Sequence, residues 1–148
     1  FLQIISTIFH KPKKRLMNFL SNYPTEVLIL LFLTITFIQS GADKLIDWKG
    51  NLSFIKEHFK SSPLKNSVPI LLGVILVIEI IAGALMAIGI YQLYTSEAKE
   101  IALLGIELSA ITLIFLLIGQ RLAKDYAGAM SLAVYFIITL LGVFLLNS

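Results

Sequence analysis

Four long apolar stretches constrain the fold of this chain more than any other feature. They run roughly over residues 25–44, 68–90, 100–119 and 128–146. Each is close to the ~20 residues that an α-helix needs to cross about 30 Å of hydrocarbon. A segment in lipid must satisfy its own backbone hydrogen bonds, so helices are expected. The sequence therefore predicts an all-α integral membrane protein, with one membrane domain over residues 1–148 built as a four-transmembrane-helix bundle.

The third stretch gives the weakest signal. Its run without charged residues starts only after Glu107, so a re-entrant segment is the alternative to a full crossing. Four crossings place both chain ends on one side of the membrane. The basic residues are divided almost evenly between the two sides, so the positive-inside rule does not settle the orientation.

Composition supports the membrane assignment and excludes several classes of chemistry. Of the 148 residues 57% are hydrophobic and 14% charged, whereas a soluble domain has about 25% charged residues. With no cysteine and two histidines outside the apolar stretches, the chain alone holds no iron–sulfur cluster and no intramembrane bis-histidine haem. His58 lies near Asp47 and Glu57, but a solvated loop is the favoured interpretation there. We expect no metal site, no intrinsic cofactor and no nucleic-acid partner.

Two segments outside the spans have amphipathic patterns. Residues 1–24 form an interfacial, basic segment in which apolar residues precede basic ones, the reverse of a signal peptide. In the first loop, Leu52, Ile55 and Phe59 recur at helical spacing among lysines, which predicts a short helix on the membrane surface. A solvated loop is the alternative. The apolar face predicted for the first segment consists of Phe1, Ile4, Ile5, Ile8 and Phe9.

Two carboxylates lie within the spans and are candidates for proton handling or ligand binding. Glu79 is near the middle of the second stretch and Glu107 is about two turns into the third. A charged carboxylate at the membrane centre costs at least ~2.5 kcal/mol, so such a residue faces the interior, is protonated or has a partner. Counting along an antiparallel hairpin puts Thr112 level with Glu79, which makes Thr112 the expected partner. A structural hydrogen bond is the alternative to a functional role.

A second candidate cluster lies where the first and third spans end. These spans run parallel, so their ends reach the same membrane surface. We expect ion pairs between Asp43 and Arg121 and between Lys44 and Asp125, since both pairs lie at helix ends on that surface. The cluster is either ordinary pairing of helix ends or a mouth for a polar headgroup such as a quinone ring or a small acid. Its members are Gln39, Asp43, Lys44, Gln120, Arg121 and Asp125.

Two segments resemble a known family. The stretches Ser40-Gly41-Ala42-Asp43-Lys44-Leu45-Ile46-Asp47-Trp48 and Gly119-Gln120-Arg121-Leu122-Ala123-Lys124-Asp125-Tyr126-Ala127-Gly128-Ala129 resemble the DoxX-like family of small bacterial four-span membrane proteins. The resemblance implies a multi-pass protein of the bacterial cytoplasmic (inner) membrane. The family's name comes from a membrane subunit associated with thiosulfate oxidation and quinone reduction, and other members look like membrane partners of redox or detoxifying enzymes.

Three functional hypotheses follow. The first is an accessory membrane subunit of a larger, redox-linked assembly, with other membrane subunits or further copies of the chain as partners besides the lipid bilayer. The second is a quinone-binding oxidoreductase component in which Glu79 handles protons. The third is a small proton-coupled transporter. Whether the chain is itself an enzyme stays open at this point.

Overall fold

The chain folds into a succession of α-helices, and residues 2–148 contain no strand. The computed structural model describes the backbone of residues 2–148 and the side chains from Pro12 onwards. The helices are α1 (Leu2–Asn22), α2 (Pro24–Ile46), α3 (Trp48–His58), α4 (Val68–Ser96), α5 (Glu100–Leu122) and α6 (Tyr126–Leu146).

Helices α2, α4, α5 and α6 are long and apolar enough to cross a membrane, which confirms the four predicted spans. The third stretch forms the continuous 23-residue helix α5 rather than a re-entrant segment. The helices extend past several of the predicted limits, and α4 continues through Tyr91 to Ser96. Helical hydrogen bonding continues into the polar flanks, where hydropathy gives no signal.

The backbones of α4 and α5 approach each other closely, and small residues permit this approach. A Cβ at Gly89 would lie 2.5 Å from the backbone nitrogen of Ala102, and one at Gly105 would lie 2.8 Å from that of Met86. Helices in lipid associate through such close packing, because their apolar surfaces gain little by leaving the lipid. Helix α4 therefore lies between α2 and α5, while α6 packs mainly on α5.

The bundle has an apolar interior and an equally apolar outer surface. Leu30, Leu33, Met86 and Ile106 are completely buried. The outward faces of the spans expose many large apolar side chains, including Val77, Phe115 and Ile137. Exposed apolar surface on this scale fits a lipid environment and does not fit water.

The helix predicted in the first loop is present as α3, which ends one residue before Phe59. Asp47 caps this helix, since its carboxylate accepts a hydrogen bond of 3.0 Å from the Gly50 amide. Leu52 and Ile55 are half-buried, and the Phe59 ring lies against Gly119 of α5. The end of the bundle that carries α3 and the α5–α6 turn is called the α3 end below, and the opposite end the α1 end.

Helix α1 is attached to the α1 end by aromatic and cationic contacts. Phe19 packs edge-on against Tyr94 at 5.4 Å, and the Arg15 guanidinium lies over the same ring while donating to the Thr95 carbonyl. After α1, burial and the nearby Glu97 carboxylate raise the pKa of the Tyr23 phenol above its ordinary value. The predicted apolar face of Phe1, Ile4, Ile5, Ile8 and Phe9 lies outside the residues whose side chains are described.

The close approach of α4 and α5 predicts that Gly89→Ala destabilises the protein by about 1–3 kcal/mol, because the added methyl group meets the Ala102 backbone. The measurement is the unfolding free energy in mixed detergent–lipid micelles. Gly73→Ala in the same helix is the control, since its Cβ would meet only the Trp48 ring at 3.8 Å. Equal stability of the two variants would contradict this packing.

Candidate functional site

Glu79 is buried between α4 and α2, with 3% of its surface exposed. Its Oε2 accepts a hydrogen bond of 2.9 Å from the Lys44 ammonium, and its Oε1 accepts one of 3.1 Å from the Ser40 hydroxyl. Glu79 thus faces the bundle interior, as an acid within a span is expected to do, and both of its oxygens have partners. The three residues are called the Ser40–Lys44–Glu79 cluster below.

The cluster uses all of its hydrogen-bond donors. The Lys44 ammonium also donates to the Ser40 hydroxyl at 2.7 Å and to the Ser40 carbonyl at 3.1 Å, one helical turn earlier. Its three hydrogens are therefore matched by three acceptors, and the Ser40 hydroxyl both accepts and donates. A fully satisfied network of opposite charges offsets much of the cost of burial. Such a network can keep an ion pair inside the bundle without exposing either charge to lipid.

The cluster lies close to the end of α2 that is nearer to α3. Gly41 of α2 packs against Ile80 of α4, the residue after Glu79, and α2 ends five residues later at Ile46. Glu79 is therefore roughly 7 Å from the end of α2 along the helix axis. The contact between Gly105 and Met86 puts Glu79 level with Thr112 in the middle of α5, as the count along the hairpin expected, so it is α2 that ends early at the α3 end. The Lys44 side chain is 15% exposed and connects the cluster to this end.

The expected pairing of Glu79 with Thr112 is wrong. Thr112 is completely buried, but its hydroxyl donates to the Leu108 carbonyl of its own helix at 2.7 Å. Glu107 is exposed on the outer side of α5 and makes no hydrogen bond with the described side chains from residue 12 onwards. Counting residues gives the depth of a side chain, whereas the rotation of each helix decides which side chains meet.

The predicted cluster of helix ends divides into separate groups. Lys44 is directed to Glu79 inside the bundle, so its expected pair with Asp125 is absent. Arg121 is exposed and stacks over the Tyr126 ring at 4.9 Å, and its expected pair Asp43 is exposed elsewhere on α2. Neither predicted ion pair is therefore formed within the described residues. Gln39 is exposed as well.

A polar contact at the α3 end joins α3 to the α5–α6 turn. His58 Nε2 lies 2.9 Å from Gln120 Oε1 and 3.4 Å from Asp125 Oδ2. The other oxygen of Asp125 caps α6 by accepting from the Gly128 amide at 2.8 Å. Asp47 and Glu57 are occupied elsewhere, in the α3 cap and in a pair with Lys60. Among the described residues no group of three or more histidine and acidic side chains could hold a metal ion.

Comparison with known protein families agrees with the resemblance seen in the sequence. The DoxX family model matches residues 27–120, which is more than half of the chain. The chain belongs to the DoxX family. The matched range runs from the first turn of α2 almost to the end of α5 and contains the whole Ser40–Lys44–Glu79 cluster. Comparison with curated proteins gave no match, and comparison with solved structures gave none.

In this DoxX protein the sequence contained signals for two contacts that were not predicted. Ser40 and Lys44 are four residues apart, so they share one face of α2 and could have been matched to Glu79 as a pair. Phe54 and His58 are also four residues apart in α3, and their rings stack at 6.0 Å centroid separation. The partner of His58 on α5 had no local signal, because it depends on how α3 folds back over the bundle.

The contact between Lys44 and Glu79 predicts that substitutions of these two residues have strongly coupled effects on the unfolding free energy. Lys44→Met leaves a buried carboxylate without its cation and should lower the unfolding free energy by about 3–5 kcal/mol. Combining it with Glu79→Leu should recover most of that loss, because both charges are then removed. The measurement is a double-mutant cycle of unfolding in mixed micelles, with the exposed Lys49→Met as the control. Additive effects of the two substitutions would contradict the pairing.

Proposed function

We propose that this DoxX protein is an accessory membrane subunit of a larger assembly in the bacterial cytoplasmic membrane. The observation that supports this most directly is the outward-facing Glu107 on α5. Its neighbours on that side of the helix, Leu104 and Ile111, are 55% and 50% exposed. A carboxylate thus stands one turn from exposed apolar side chains on either side of it along α5.

The depth of Glu107 makes this arrangement costly in a protein surrounded only by lipid. Glu107 is seven residues from the start of α5, or about 10 Å along its axis. The preceding residue, Ile106, packs against Gly142, which is four residues from the end of α6. An ionised carboxylate in the hydrocarbon layer costs at least ~2.5 kcal/mol near its centre and less near its edge. Contact with a partner subunit would remove that cost.

The test is native mass spectrometry of the tagged protein after gentle extraction from its own membranes. We expect one other membrane protein in stoichiometric amount, retained at detergent concentrations that keep the DoxX protein folded. A four-span protein of another family, tagged and expressed at the same level, controls for non-specific retention. Recovery of monomers or homo-oligomers alone would overturn the proposal.

A second candidate function is quinone binding, and the Ser40–Lys44–Glu79 cluster favours it. The cluster provides an ammonium, a hydroxyl and a carboxylate in a mostly apolar setting, and these groups can hydrogen-bond a quinone carbonyl and exchange protons with it once the headgroup replaces the hydrogen bonds between Lys44 and Ser40. The partial exposure of Lys44 gives a route from the α3 end. Electrons would come from a partner protein or a soluble reductant.

For this second function, we expect Glu79→Gln to lower quinone reduction in membranes at least tenfold, since general acid–base groups typically contribute about 10²–10⁴-fold. The measurement is the reduction rate of an added short-chain quinone, with Glu57→Gln on the exposed side of α3 as the control. Protein amount in the membrane is matched by immunoblot. An unchanged rate would remove Glu79 from proton handling.

A further inference from the structure

We infer that the outer side of α5 binds one transmembrane helix of a different protein, and that this helix carries a lysine or arginine at the depth of Glu107. This inference rests on the proposed function and adds the location and the chemistry of the partner contact. It concerns a surface separate from the Ser40–Lys44–Glu79 cluster, which is buried on the α2 side of α4.

Seven of the nine exposed residues of α5 follow the spacing of a helix-packing seam, and the other two, Phe115 and Leu122, lie beside it. The seven alternate at three and four residues along the whole span, so they form one stripe that a second helix can follow with left-handed crossing. The apolar members are 43–55% exposed, and no other helix of the described chain covers them. The stripe, called the α5 seam below, consists of Glu100, Leu104, Glu107, Ile111, Ile114, Ile118 and Arg121.

The charge distribution of the α5 seam indicates what its partner carries. Both acids, Glu100 and Glu107, are in the half near the α1 end, and the one cation, Arg121, is at the α3 end. A partner helix with a basic residue in the half that lies near the α1 end would neutralise Glu107. Close charge pairs of this kind, once desolvated, favour the matched partner and penalise others.

A second copy of this chain is a poor complement for the α5 seam. A two-fold contact through α5 would bring Glu107 of one chain towards Glu107 of the second chain. Two like charges would then lie together in lipid. The outward residues of the neighbouring spans near this depth are apolar, as Ile81 on α4 and Leu141 on α6 illustrate. The described spans therefore offer no cation at this level for a second copy to use.

The first experiment uses the partner that was identified with the wild-type protein. It compares how much of this partner each variant captures. Glu107→Leu should weaken its association about thirtyfold or more, the effect of removing one member of a buried charge pair. Glu107→Lys should abolish capture, and replacing the partner's basic residue by glutamate should restore it. Leu141→Gln, which changes polarity at a similar depth on α6, is the matched control and should leave capture unchanged.

The second experiment uses the absence of cysteine in the chain. A photoreactive maleimide is attached to Ile111→Cys in the α5 seam or to Leu141→Cys on α6 as the control. The seam position should cross-link to the partner and the α6 position should not. All these side chains are exposed, so the variants should fold, and their unfolding temperatures in micelles check this.

The outcomes separate this inference from the proposed function. Capture of a partner by wild type and equally by Glu107→Leu and Glu107→Lys would overturn the inference and leave the accessory-subunit proposal standing. Absence of any partner with wild type would overturn both. Cross-linking from Ile111→Cys to a second copy of the chain would show that the seam is homomeric and would also overturn the inference.

Discussion

The architecture of this DoxX protein depends on helix association in a solvent as apolar as the helices themselves. In water the burial of leucine and isoleucine would supply most of the free energy of folding. In lipid that term is small, so the bundle relies on close backbone approach and on polar pairing. Gly89 against Ala102 provides the first, and Lys44 with Glu79 provides the second. The two contacts lie on different sides of α4 and connect it to α5 and α2 respectively.

Burial of a full ion pair gives the α2–α4 contact a property that apolar packing lacks. An apolar interface tolerates small rotations, whereas a network in which every donor has one acceptor permits a single arrangement. Ser40, Lys44 and Glu79 therefore define the relative rotation of two helices, whatever further chemistry they perform. A structural and a chemical role for these residues are compatible, since a charge held ready for reaction must also be held in place.

The sequence predicted the elements of the fold well and the contacts between them poorly, for a physical reason. Hydropathy and helical spacing are local properties, so they located α2, α4, α5, α6 and the amphipathic α3. Depth also followed from counting, and it placed Glu107 near Ala84 of α4, in agreement with the contact between Gly105 and Met86. The rotation of each helix about its axis depends on all of its neighbours at once. For that reason Thr112 was matched to Glu79 in error and Glu107 was not recognised as outward-facing.

The position of α3 has a mechanical consequence. One residue, Asp47, separates α3 from α2, and Lys44 comes four residues before the first residue of α3. The far end of α3 is attached through His58 to Gln120 beside the α5–α6 turn. Helix α3 is thus held at both ends, and one of these ends is next to the buried ammonium group of Lys44. Any force that lifts α3 from the bundle, whether from lipid or from a bound protein, therefore acts on the end of α2 that carries Lys44.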